Sequence, residues 1–320
     1  MSDIKVSVIC NTYNHGDYIR DALEGFVMQK TDFAYEVLVH DDASTDNTAE
    51  IIRQYEEKYP DIIKPICQIE NQHSQKIPIT TTYQLPRAQG KYIALCEGDD
   101  YWTDPLKLQK QYDAMEAHPE VDICAHAAFR VDQVSGEECL ISPSETERIL
   151  TAEEVIRGGG GFVMTASLFY RKSLDEKMPE FRKIRNFDYS LQMHGALRGG
   201  MYFLNDTMSV YRWHVPGSWT MRVELNLGVE KRKYVEQVNS VLRQLDIDTD
   251  NKFSEIIDYK IRKNEFFILA EEERHRELLT DRYKRVFKDQ KLSNRVKIRI
   301  SAYFPWLRKL YIKLRGRDGK

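Results

Sequence analysis

Long apolar runs are missing from this 320-residue chain. No stretch approaches the roughly 20 residues that a bilayer-spanning helix needs, and the N-terminal MSDIKVSVIC lacks signal-peptide architecture. Membrane contact, if any, is therefore expected to be peripheral. Cysteine is also scarce: Cys10, Cys67, Cys96, Cys124 and Cys139 are odd in number, widely spaced and form no CxxC pair. Cys10, Cys67 and Cys96 sit in apolar strand-like runs, where a reduced thiol packs as a small hydrophobe. A reduced, cytoplasmic protein is the expectation. An excess of one charge is absent too, since 47 Lys and Arg face 50 Asp and Glu for a formal net charge of -3. Nothing in that balance suggests a nucleic-acid binder. No internal repeat or low-complexity tract interrupts a composition that is 42% hydrophobic and 30% charged, as in an ordinary globular chain.

What is present in the first hundred residues is an alternation of strand-like and helix-like patterns, which argues for βα units and a largely parallel sheet. Strands are expected at Val6 to Cys10, Tyr35 to His40, Ile63 to Ile69 and Tyr92 to Cys96, with helices at Asp17 to Met28 and Thr48 to Tyr59. A helix from Pro105 to Ala117, strands at Val121 to Arg130 and Ala166 to Tyr170, a helix from Tyr189 to Leu197 and a last strand at Ser209 to Trp213 continue the pattern. The unusual polar residues of the first hundred fall just after strands. In an open α/β sheet that edge forms the ligand crevice.

Three polar segments stand out: Thr12-Tyr13-Asn14, Asp41-Asp42-Ala43-Ser44-Thr45-Asp46 and Glu97-Gly98-Asp99-Asp100. Adjacent carboxylates after a buried strand repel one another, and a cation commonly offsets that repulsion. Oxygen ligands of this kind suit Mg²⁺ or Mn²⁺. A solvated turn that caps the Pro105 helix is the competing account of the acidic cluster alone. The four-glycine run Gly158 to Gly161 lacks the lysine of a phosphate loop and is expected to be a flexible loop.

The stretches Val6 to Asn14, Val37 to Asp46 and Gly90 to Trp102 together resemble, in order and spacing, the markers of family 2 glycosyltransferases with the GT-A fold. The resemblance covers roughly residues 4 to 220. It implies a Rossmann-like mixed, mostly parallel sheet flanked by helices, with inverting, metal-dependent transfer from a nucleotide sugar, commonly a UDP sugar. It implies that Thr12, Tyr13 and Asn14 line the nucleotide pocket and that Asp42 hydrogen-bonds the base. Glu97, where the family usually has Asp, would face the ribose, and Asp99 and Asp100 would hold the metal. Asp188 in Asn186-Phe187-Asp188-Tyr189 resembles the second acidic motif, whose carboxylate is the base, although Phe187 stands where Glu is frequent. In Tyr211-Arg212-Trp213-His214, His214 would complete the metal shell and Arg212 would approach the diphosphate. Arg212 and Trp219 are expected to close over the donor from a loop hinged at Pro216-Gly217-Ser218.

Domain organisation is expected to be a catalytic domain over 1–222, a helical appendage over 223–290, and a basic amphipathic tail over 291–320. The tail carries ten Lys or Arg against the single acid Asp318, interleaved with large apolar residues. That pattern suits an anionic membrane surface on the inner face of a cell and an acceptor that is a saccharide or lipid-linked. A solvated or partner-bound tail is the alternative. Two other function classes stay open at this point. A nucleotidyltransferase needs a basic Gly-rich loop after its first strand, and Asn11 to Gly16 contains no Lys or Arg. A protein that binds nucleotide sugars without turning them over fits the departures at Glu97 and Phe187.

Overall fold

The computed structural model describes residues 3–185, 187–218, 221, 229–304 and 306. Two compact units emerge, one of Met1–Arg182 with Asn186–Met221 and one of Lys183–Arg185 with Arg222–Lys320. The first unit is built on a ten-stranded sheet. In chain order its strands and longer helices are β1 (Ile4–Thr12), α1 (Ile19–Val27), β2 (Ala34–Asp41), α2 (Thr48–Lys58), β3 (Ile63–Cys67), β4 (Tyr92–Leu95), β5 (Tyr101–Trp102), α3 (Lys107–Ala117), β6 (Ile123–Asp132), β7 (Glu138–Ile141), β8 (Arg148–Leu150), α4 (Ala152–Gly158), β9 (Phe169–Arg171), α5 (Ser173–Glu176), α6 (Glu180–Ile184), α7 (Asp188–Ala196) and β10 (Met201–Trp213).

The main path runs β3-β2-β1-β4-β9-β6-β10-β5. β3, β2, β1 and β4 pair in parallel, and so do β6 and β10. β9 is antiparallel to both β4 and β6 and joins the two parallel blocks. Val6 to Cys10 is buried on both faces, which explains why that strand reads as a continuous apolar run rather than an alternating one. Its one polar residue, Ser7, is satisfied inside: its hydroxyl donates to Glu36 at 2.7 Å and accepts the Gly90 N–H at 2.8 Å. Leu23 and Phe26 of α1, Ile52 of α2 and Leu108 and Met115 of α3 join the strand residues in a single core. Each such side chain contributes about 1.5–3 kcal/mol by leaving water.

Several boundaries differ from the sequence expectation: the strand expected at Ala166 to Tyr170 is Phe169–Arg171, preceded by a 3-10 turn at Thr165–Ser167, and two others have a clear cause. β3 stops at Cys67, because its pairing with β2 ends at the Asp41–Cys67 partners; Ile69 lies beyond and is exposed. The final strand starts at Met201, eight residues before Ser209, since register shifts at Leu204/Thr207 and Thr207/Ser209 and the exposed Asn205 and Asp206 break its alternation. Gly158 closes α4, and Gly159 (φ 85°) takes the C-cap position in a backbone region that suits glycine. The second unit contains the helices Val229–Asp248, Ser254–Glu271 and Leu292–Tyr303. Phe266, Leu269, Leu278, Tyr283, Val286 and Phe287 form a core there. No helix among the described residues is long and apolar enough to cross a membrane.

Candidate active site

Because β1, β2 and β4 are parallel, Thr12, Asp41 and Leu95 end at the same edge of the sheet, and the three polar segments that follow them are gathered there. The first two are latched together. Asp42 donates its N–H to the Thr12 carbonyl at 3.0 Å, Asn14 donates its N–H to the Ser44 hydroxyl at 2.8 Å, and the Thr45 N–H donates to Asn14 Oδ1 at 2.8 Å. Asn14 turns through φ 54°, a left-handed conformation that Asn tolerates. Tyr13 at the tip of the turn is 45% exposed. The Asp42 carboxylate is buried and accepts the backbone N–H groups of Gln72 and His73 at 2.8 and 3.0 Å. It thereby shapes the loop after β3; each oxygen has a further lone pair for another donor.

The acidic segment divides into three different environments. Asp100 is 1% exposed, and its Oδ1 accepts the Arg212 N–H at 2.9 Å. Burial and the neighbouring Asp99 push its carboxyl well above the usual range. Asp99 is more accessible, and its Oδ2 lies 3.8 Å from His15 Nε2. Glu97 is pushed up to about 8, first by desolvation and then by the negative charges of Asp99 and Asp188, while hydrogen bonds from Asn11 act in the opposite direction. Burial and the same acidic group raise the Cys10 and Cys96 thiols well above their ordinary value. Burial and mutual repulsion thus favour the neutral forms of Glu97 and Asp100, and a cation placed beside them would favour the ionised forms.

Gly98 is required by close approach rather than by its backbone angle. A Cβ there would lie 2.5 Å from Thr12 Oγ1, 2.7 Å from Thr12 Cβ and 3.0 Å from His15 Nδ1. Gly98→Ala is accordingly expected to cost about 1–3 kcal/mol and to displace the Thr12 to His15 turn. Thermal unfolding checks the first effect and nucleotide binding the second; an unchanged unfolding midpoint would contradict the packing argument.

Asp188 is the first residue of α7 and follows an extended Phe187. Thr165 donates its hydroxyl to Asp188 Oδ2 at 3.0 Å, and the Tyr189 N–H donates to Oδ1 at 2.7 Å, so the carboxylate is held from two sides. Burial raises its pKa above the ordinary carboxylate value. Asp188 and Glu97 line the same cavity of about 450 Å³, together with Asn11, Thr80, Thr165 and the apolar Ile77 to Ile79 segment.

The other expected residues, Thr12, Tyr13, Asn14, Asp42, Asp99, Asp100, Arg212 and His214, do not line that cavity. Arg212 belongs to β10, not to a closing loop. Its guanidinium donates to the Asp99 carbonyl at 2.9 Å and pairs with Asp21, with Tyr18 and Tyr101 rings 5.3 and 4.4 Å away. These partners hold it as part of the wall behind the acidic segment. His214 (φ 62°) stacks on Trp213 at 4.0 Å, and its Nδ1 lies 3.1 Å from Asp132 Oδ2. Backbone N–H groups of Val134 and Ser135 and the His214 ring hold the Asp132 carboxyl down to about 2. Trp219, residues 305 and 307–320 of the expected tail, and part of the expected 223–290 appendage lie outside the described residues.

A divalent cation was expected on Asp99, Asp100 and His214. Among the described residues no three His, Cys, Asp or Glu side chains are gathered as a metal cluster. The donor chemistry beside Gly98 nevertheless suits a hard cation. Asp99 and Glu97 are close enough to repel, and Thr12 Oγ1 and His15 Nδ1 are buried polar atoms without a partner. His15 and Thr165 were not singled out in the sequence. His15 carries no motif signal beyond its place after Asn14, and Thr165 lies 23 residues from the aspartate that it holds.

Comparison with known proteins gives the following likenesses. The profile described as Glycosyl transferase family 2 matches residues 7–177. An uncharacterised protein of Mycobacterium tuberculosis is 37% identical over 218 residues, which is 67% of this chain and 60% of that protein's length. The putative glycosyltransferase EpsE of Bacillus subtilis is 29% identical over 188 residues, covering 59% of this chain and 66% of EpsE. Residues 1–349 of S. aureus TarS, solved in complex with UDP-GlcNAc, superimpose with a TM-score of 0.59 at 19% identity over 91% of this chain and 77% of that one. That likeness is one of fold: a mixed, mostly parallel sheet flanked by helices.

Proposed function

The chain belongs to glycosyl transferase family 2, and from that premise we propose that it moves a sugar from a nucleotide diphosphate, in the first instance a UDP sugar, to an acceptor hydroxyl with inversion. The observation that carries this reading is the shared cavity of Glu97 and Asp188 beside the loops of β1, β2 and β4. The acceptor is a saccharide or a lipid-linked saccharide, reached at the inner face of a membrane through peripheral contact by residues 291–320. The solved TarS complex with UDP-GlcNAc supports a UDP sugar as the first donor to try.

The residues divide the work as follows. Thr12, Tyr13 and Asn14 form the floor of the nucleotide pocket, and Asp42 keeps the Gln72-His73 loop beside it while offering its remaining lone pairs to the base. Asp188 accepts the proton of the acceptor hydroxyl as that oxygen attacks the anomeric carbon. Thr165 and the Tyr189 N–H keep the carboxylate aimed during this transfer. The bond between the anomeric carbon and the phosphate oxygen breaks, and its electron pair leaves with the nucleoside diphosphate. Glu97 retains a proton near neutral pH when no cation is beside it, which lets it donate a hydrogen bond to the donor. Mg²⁺ or Mn²⁺ held by Asp99, with Glu97 alongside, would supply Lewis-acid stabilisation of the departing diphosphate. Asp100 and Arg212 keep the acidic segment in place by their mutual hydrogen bond, and His214 braces the turn at Asp132.

A panel of nucleotide sugars incubated with and without Mg²⁺ or Mn²⁺ tests the reading. Metal-dependent donor consumption with at least one UDP sugar is the expected result. Binding without consumption on every acceptor tried would favour a nucleotide-sugar-binding protein, and absence of binding across the panel would sink the proposal.

A further inference from the structure

The helix Leu292–Tyr303 is fastened to its own unit by one side and presents a different kind of surface on another. Ile298 packs against the core of Phe266, Leu269, Tyr283 and Phe287, and Ala302 is buried. Arg276 Nε donates to the Ala302 carbonyl at 3.1 Å, and the Arg295 and Arg299 guanidinium groups lie 5.9 and 5.4 Å from the Phe287 ring. At about 100° per residue, Leu292, Val296, Ile300 and Tyr303 fall within roughly 80° of one another on the helix. All four are exposed, Leu292 at 70% and Tyr303 at 64%, and Phe304 and Trp306 continue the apolar surface beyond the helix end.

Charge decides the occupant. Lys291, Arg295, Lys297 and Arg299 lie on or beside this helix, and residues 290–317 contain no Asp or Glu. A protein partner's apolar face would not call for a one-signed rim of this kind, whereas a bilayer with anionic headgroups does. Apolar side chains then enter the acyl boundary while Lys and Arg stems extend toward the phosphates. Large aromatic residues at the edge, Tyr303 and Trp306, suit the headgroup level.

We propose that Leu292, Val296, Ile300, Tyr303 and Trp306 form a docking face for an anionic lipid surface, held rigidly by the second unit. This deepens the peripheral contact read for residues 291–320 and rests on it, but it does not depend on which sugar is transferred. It assigns the contact to one face of an ordered helix and makes membrane binding separable from chemistry.

Co-sedimentation of the full chain with vesicles tests the assignment, using equal parts phosphatidylcholine and phosphatidylglycerol against phosphatidylcholine alone. The wild type is expected to partition onto the mixed vesicles and only weakly onto the neutral ones. Lys291→Gln with Lys297→Gln is expected to weaken partitioning by about fivefold per cation. Val296→Glu with Ile300→Glu, both at exposed positions, is expected to reduce it by at least about tenfold, with donor turnover on a soluble acceptor unchanged. Equal partitioning of this last variant and the wild type overturns the docking face. If neutralising Arg308, Lys309, Lys313 and Arg315 alone then abolishes partitioning, the contact belongs to the tail instead, and the broader peripheral reading survives. A concentration-dependent dimer that the same glutamates dissociate, without vesicle binding by the wild type, assigns the face to a second copy and overturns both.

Discussion

Asp188→Asn is expected to lower kcat by about 10²–10⁴-fold, the range for loss of a positioned general base, while the KD for the nucleotide sugar stays close to that of the wild type. The isosteric amide can keep its oxygen on the Tyr189 N–H and turn its NH2 toward the Thr165 hydroxyl oxygen, which then accepts instead of donating, so the start of α7 should keep its geometry. What it loses is the ability to take the acceptor proton. The pH dependence follows from the same environment. Burial raises the Asp188 pKa, and the base works only when ionised. Activity therefore falls as pH drops through that raised value, and the acid limb of kcat/KM lies above the usual carboxylate pKa of about 4. Asp188→Asn should remove that limb from its residual activity. Stopped assays over a pH series, paired with calorimetric titration of the donor, check both points. Retained turnover in the variant would move the base elsewhere. Lost donor binding would make Asp188 part of the donor pocket instead.

The residues that made this prediction possible were readable in the sequence to very different degrees. The segments after β1, β2 and β4 stand out because parallel strands buried on both faces are largely apolar, so that the polar turn following each one is conspicuous. Their convergence follows from parallel pairing alone. β9 is legible as a short strand near Ala166 to Tyr170, but neither its start at Phe169 nor its direction is. Three residues long, it is defined by its antiparallel partners on β4 and β6, which are distant in sequence. The two-residue β5 is likewise a product of pairing with β10.

Side-chain roles were harder to read than backbone placement. Arg212 is identifiable as a basic residue after the last strand, but whether it points at a ligand or at Asp21 and two tyrosines depends on contacts one hundred to nearly two hundred residues apart. His214 likewise meets Asp132 only because β6 and β10 run in parallel to the end of their ladder. The Glu97–Asp188 cavity is built from the ends of β1 and β4, the loop before Thr80 and the start of α7. No periodicity in any one segment announces that meeting.

Asp99→Asn should separate the carboxylates of the acidic segment more sharply than any other substitution. If Asp99 holds the divalent cation against the diphosphate, its loss removes the main electrostatic support of the leaving group, and turnover should fall by about 10²–10³-fold. Binding of Mn²⁺ in the presence of UDP, followed by electron paramagnetic resonance, should weaken in parallel. Asp100→Asn is the matching control because an amide oxygen can still accept the Arg212 N–H that Asp100 Oδ1 accepts at 2.9 Å. Its effect should stay within about fivefold, the scale of one altered hydrogen bond, and it also relieves the burial of a carboxylate whose pKa is raised well above the usual range. His214→Gln should leave Mn²⁺ binding intact, since its ring is engaged by Asp132 and Trp213. Equal losses of metal binding in all three variants would restore the full Asp99, Asp100 and His214 shell. A loss confined to Asp99→Asn would place the cation on the carboxylate beside His15 rather than on the buried Asp100 that accepts the Arg212 N–H.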